Sequence, residues 1–181
     1  MSRHINFREH DALDLLTRGH DTIKQLFQDY ERLLDRPDVA DRKAAIVGRI
    51  CFELSVHAQL EEEIFFPAVQ AVIGPEALSK GCECSHAGDR DLIAMLDELE
   101  PGDADYDPVV ALLGAYVVLQ MNDEQQELFP KVRRAGLDTA ALGLQMVQRQ
   151  KSLYEDVTRV IMPRSTPGAA SWLQSCRVLI G

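Results

Sequence analysis

The chain has 181 residues, 46% hydrophobic and 27% charged, with a formal net charge of −10 and a pI near 4.9, the make-up of an ordinary globular domain. The acidity argues against nucleic acid, whose phosphates need a concentrated basic surface, and no run approaches the roughly 18 apolar residues of a membrane span. The opening MSRHINFREH lacks the apolar stretch of a signal peptide, and four scattered cysteines (Cys51, Cys82, Cys84, Cys176) do not make a disulfide framework, so a cytoplasmic location is expected.

Five helical stretches follow in chain order. From about Asp11 to Leu34, Leu13, Leu16, His20, Ile23, Phe27, Tyr30 and Leu34 recur at three- and four-residue steps, one face of an α-helix. Arg36-Pro37-Asp38 stops it, because the residue before a proline is driven out of the helical region. A second helix runs from about Asp41 to Val72, with Ile46, Ile50, Leu54, His57, Glu61 and Ile64 on its stripe. Pro67 should bend it or end its regular part, and Gly74-Pro75 closes it. A third spans roughly Leu78 to Leu99 with Cys82, His86, Ile93 and Leu96 inward. After the loop Pro101–Asp105, a fourth, from about Pro108 to Phe129, turns Leu113, Val117, Gln120 and Glu124 inward. Ala135-Gly136 breaks the chain, Asp138 is placed to cap the next helix, and that fifth helix reaches about Ile161. Short loops between helices, with no alternating strand pattern, predict an all-α fold: an antiparallel up-and-down four-helix bundle with an additional C-terminal helix and tail. The expected division is residues 1–162 as the domain and 163–181 as the tail.

Leu54–Val69 and Val117–Val132 repeat one pattern at a constant spacing of 63, HAQLEEEIFFPAV from His57 and QMNDEQQELFPKV from Gln120. His57 matches Gln120, Glu61 matches Glu124, Phe66 matches Phe129 and Pro67 matches Pro130. A His and a Glu four residues apart share one helix face and can share a metal ion. Each of the first four helices thus places a metal-competent side chain on its apolar stripe: His20, His57 with Glu61, His86, and Glu124. A carboxylate on a buried stripe is costly unless it is paired or metal-bound. A cation neutralising two Glu among three His is the simplest resolution, and imidazole with carboxylate favours Fe, Mn or Zn over Ca or Mg. His4 and His10 are expected on the surface and Cys51 in packing, with Glu62 a candidate outer partner of the ligands. Asp89 and Arg90, one turn after His86, are near enough to act on the site.

On LLTRGHDTIKQLF around His20, HAQLEEEIFFP, SHAGDRDLIAMLDELEPGD around His86 and ELFPKVRRAGLDTAALG after Glu124, the chain resembles the hemerythrin-like HHE cation-binding family. The resemblance covers roughly Leu15 to Leu153. It implies a four-helix bundle holding a non-haem di-iron centre, with His20 and His57 on one iron, His86 on the second, and Glu61 and Glu124 as bridges. Gln120 stands where the family motif has its fourth His, and an amide oxygen is a weaker, neutral donor. Gln120, water or Cys82 are the candidates to complete the second iron, and the site holds either two metals unequally or one. Iron is the expected metal, with Zn and Mn as alternatives.

The function implied is binding or sensing of O2, NO or peroxide, or of iron itself. The alternatives are a di-iron enzyme that consumes peroxide or oxidises a substrate, and a regulatory module with one metal. No nucleophile set or phosphate-cradling glycine loop marks the chain as an enzyme. The expected partner is a small diatomic ligand or peroxide, with neither nucleic acid nor membrane, and a homodimer is left open.

Overall fold

The computed structural model describes residues 11–36, 38–75 and 85–161. Helix α1 is Ala12–Glu31 and α2 is Ala40–Leu60. The second passes through a π-helical turn, Glu61–Phe65, directly into α3, Phe66–Ile73. Helix α4 is Ser85–Asp97. Helix α5, Tyr106–Asp123, passes through a second π turn, Glu124–Leu128, into α6, Phe129–Ala135. Helix α7 is Thr139–Ile161, and no strand occurs among the described residues. Helix α1 packs on α2 and α5, α4 packs on α5, and α3 meets α6. The result is the four-helix bundle that the sequence predicts, with α7 laid along α1 and α2 as the additional C-terminal helix.

Local chemistry sets the ends of these rods. Asp11 caps α1 by accepting from the Leu13 and Asp14 N–H groups, 2.9 and 3.3 Å away. Asp138 caps α7 by accepting from the Ala141 N–H at 2.9 Å. Helix α6 stops at Gly136, whose left-handed φ of 74° costs a glycine little.

The π turns explain where the inward stripes depart from the sequence expectation. His57, Glu61, Phe65 and Val69 are all buried and advance by four residues at every step. An α-helix turns once per 3.6 residues, so each such step drifts by about 40°, and three in a row would carry Val69 off the stripe. The wide turn absorbs that drift: the Phe66 N–H donates to the Glu61 carbonyl, five residues back. The second copy does the same, the Phe129 N–H donating to Glu124. Phe65 therefore takes the core position expected for Ile64, which is only half-buried. Pro67 does not end the helix. It falls in the first turn of α3, where its missing N–H is tolerated, and the helix continues to Ile73. Likewise the fourth predicted helix does not end at Phe129 but runs on through α6 to Ala135.

At the end of α1, Leu33 is buried and Leu34 is exposed, because the chain leaves the helix after Glu31 and the 3.6-residue period no longer applies. The expected start of the third helix at Leu78, with Cys82 and Cys84, lies outside the described residues, as do His4, His10 and the tail from Pro163.

Helix α7 completes the core with Leu142, Met146 and Leu153. Its Thr139 hydroxyl donates to Asp11, and its Tyr154 hydroxyl donates to Glu53 while the ring packs edge-on against Phe52 at 5.0 Å. Arg149 grips Glu63, on the first π turn, through two hydrogen bonds of 2.7 and 2.8 Å. No helix among the described residues is long and apolar enough to cross a membrane.

Candidate metal centre

The imidazoles and carboxylates of four helices meet between the rods. His20, midway along α1, is fully buried; His57 ends α2, Glu61 and Glu124 each open a π turn, and His86 opens α4. His20 Nε2 lies 3.0 Å from His57 Nε2 and 3.2 Å from Glu124 Oε2. Glu61 reaches both ways, with Oε1 3.4 Å from His57 Nε2 and Oε2 3.2 Å from His86 Nε2. Donor atoms of His20, His57, Glu61 and Glu124 all lie within 4.8 Å of one another, an arrangement that could hold a metal ion. The unbonded atoms fit the same requirement. His20 Nδ1, both oxygens of Glu61, Oε2 of Glu124 and Oδ1 of Asp89 are buried without a hydrogen-bond partner, where buried polar atoms are ordinarily bonded. Two ring nitrogens facing each other at 3.0 Å can share only one proton, whereas both can donate to a cation.

The electrostatics of the cluster reflect that crowding. Burial pushes Glu124 well above the usual carboxylate range, and the neighbouring Glu61 adds to it. Burial would also raise Glu61, but His57 and His86 outweigh it and hold that carboxyl below its usual range. His20 is driven down to about 3, first by burial and then by His57. Burial opposes charging of His86, yet Glu61, Glu62 and Asp89 keep it above its ordinary value. Asp89 is raised to about 6, chiefly by burial.

The structure shows an internal two-fold pattern. Positions on α1 recur on α4 at a spacing of 66, while those on α2 and α3 recur on α5 and α6 at 63. Phe129 stacks on His20 and its counterpart Phe66 on His86, each with ring centroids 5.9 Å apart. On one side Glu62 accepts from His86 Nδ1 and from Arg90; on the other the matching Gln125 accepts from Lys24. Two of its departures bear on the donor set. His57 is answered by Gln120, and Ile23, fully buried on α1, is answered by Asp89 on α4.

His20, His57, Glu61 and Glu124 thus stand in one group, joined to His86 through Glu61. Gln120 is half-buried one turn before Glu124, whose N–H donates to the Gln120 carbonyl. Asp89 is the residue that sequence reasoning undervalued. It is 7% exposed, and charge coupling links it to His86, His57, Glu61 and Glu124. The signal was present: 86, 89, 93 and 96 follow the same step pattern as the inward residues 20, 23, 27 and 30 of α1.

Fold and site together define a helical-bundle protein with a buried imidazole–carboxylate site able to hold a cation. The hemerythrin HHE cation binding domain model matches residues 11–132, and the chain belongs to that family. Among solved structures, a hemerythrin HHE cation binding domain-containing protein from Mycobacterium kansasii is similar, with a TM-score of 0.62 and 19% sequence identity over 91% of this chain and 98% of that one. At that identity the likeness speaks to the fold. A search of curated protein sequences finds no match.

Proposed function

We propose that this chain is a non-haem iron protein whose two-metal centre binds O2, NO or peroxide. The observation that carries this reading is Glu61, which turns one oxygen to His57 and the other to His86, as a carboxylate spanning two cations must. In this reading His20 and His57 hold one iron, His86 holds the second, and Glu61 and Glu124 lie between them. Gln120 offers at most a weak, neutral oxygen. Mixed imidazole and carboxylate donors suit iron, and bound iron would supply redox chemistry and an open position for a small ligand. The protein's part is to exclude water and fix the ligands. Phe65, Phe129, Leu16 and Ile23 are buried in the core, and stacking by Phe129 and Phe66 holds the His20 and His86 rings in place.

The test is metals per chain by elemental analysis, on protein purified without chelators, with visible spectra recorded with and without O2. Two irons per chain and a reversible O2-dependent spectrum are expected. A single ion overturns the two-metal part of the proposal, and a redox-silent metal such as zinc overturns the ligand-binding part.

A further inference from the structure

The half of the centre built on α4 lacks an imidazole that the other half has, since Gln120 stands where the repeat places His57. The same half carries a carboxylate that the other lacks, since Asp89 stands where the repeat places Ile23. An aspartate in the position of a fully buried isoleucine, itself 7% exposed and with Oδ1 bonded to nothing, needs a partner. Arg90 next to it is engaged elsewhere, donating to both oxygens of Glu62 at 2.6 and 2.7 Å. Beside Asp89 and His86 lies a small cavity of about 20 Å3, lined from α2 by Leu54, Ser55, Ala58 and Gln59, with room for about one water-sized ligand.

We propose that Asp89 is a ligand of the metal on the His86 side, supplying the donor that Gln120 no longer provides, with the adjoining cavity as the open position of that metal. The inference rests on the metal-centre reading above and departs from the His, His-x-x-x-Glu, His, His-x-x-x-Glu pattern. Metal selection follows from it. A site of one imidazole and several carboxylate oxygens is harder than one with two imidazoles, so the two halves should differ in affinity, the His86 side being the more labile.

The experiment compares wild type, Asp89→Asn and Asp89→Ile, the last copying the other half, each loaded anaerobically with ferrous iron and separately with Zn2+. Wild type should hold two ions per chain. Both variants should fall to one, or lose the second to a chelator at least 10-fold faster. Metal-free Asp89→Asn should melt at or above the wild-type temperature, because a buried carboxylate with an unbonded oxygen is gone, while iron should raise its melting temperature less than it raises that of wild type. If Asp89→Ile fails to fold, Asp89→Asn decides. Two ions held with wild-type chelator resistance in Asp89→Asn overturns the role of Asp89 and leaves the metal centre standing. A wild type that binds no ion overturns the metal-centre reading itself.

Discussion

Glu62 Oε1 sits 3.0 Å from Nδ1 of His86, on the edge of the ring opposite the 3.2 Å contact between Nε2 and Glu61. One edge of the imidazole therefore faces the candidate metal position while the other donates to a carboxylate, which fixes both the tautomer and the angle of the ring. Arg90 anchors Glu62 in turn through two short contacts.

Glu62→Ala should leave the fold intact, since its side chain lies at the surface, and loosen the His86-side metal. Partners of this kind are worth about 10- to 100-fold in metal affinity. Iron release to a chelator, followed by absorbance, should show one of two ions leaving faster by that factor. Release at the wild-type rate would mean that Phe66 stacking alone orients the ring.

Gly19 precedes His20 on α1, and a Cβ there would stand 3.0 Å from His57 Nδ1. Gly19→Ala should therefore displace the His57 ring by a few tenths of an ångström and weaken metal held by His20 and His57, by roughly 10-fold. Helix propensity favours alanine by about 0.8–1.0 kcal/mol, so metal loss should not come from unfolding of the metal-free protein. Isothermal titration with Zn2+ beside thermal melts of the metal-free forms separates the two effects.

Gln120→His restores an imidazole at the place that the repeat assigns to one. With Asp89 already serving that metal, the number of ions should stay at two and their release to a chelator should slow. A rise from one ion to two in this variant would show instead that nothing in wild type fills the position.

The acid side of the stability curve should depend on Asp107. Burial would raise its carboxyl, but bonds from Lys43 at 2.7 and 3.0 Å and from the Tyr30 hydroxyl hold it below the usual aspartate range. A depressed folded-state value adds stability above the unfolded value of about 3.9, and that stability is lost as pH falls through the folded value. Melting temperatures of metal-free wild type and Asp107→Asn should thus differ at pH 7 and converge below about pH 4. A gap that persists unchanged into acid would assign the difference to packing of Tyr30.

The helices were legible because their apolar residues keep a regular period: Leu13, Leu16, His20, Ile23, Phe27 and Tyr30 are all buried, as their spacing requires. The π turns were not read, although unbroken four-residue steps from His57 to Val69 and from Gln120 to Val132 exceed what a 3.6-residue helix sustains. Ile64 is expected inside for that reason, and the irregularity expected at Pro67 falls instead in the π turn just before it. Asp89 reads from sequence only as a neighbour of the site, because aspartate ordinarily faces water. Its burial depends on what lies across the bundle, which local pattern does not specify.

Helix α7 gives the family match a physical consequence. The match ends at residue 132, seven residues before α7 begins. Every candidate ligand lies before that point, yet Met146 and Leu153 of α7 are buried in the same core, and Arg149 clasps the turn that Glu61 opens. Truncation at the match boundary would preserve the full inventory of donors and still lay open the flank of α1 and α2 on which two of them are mounted.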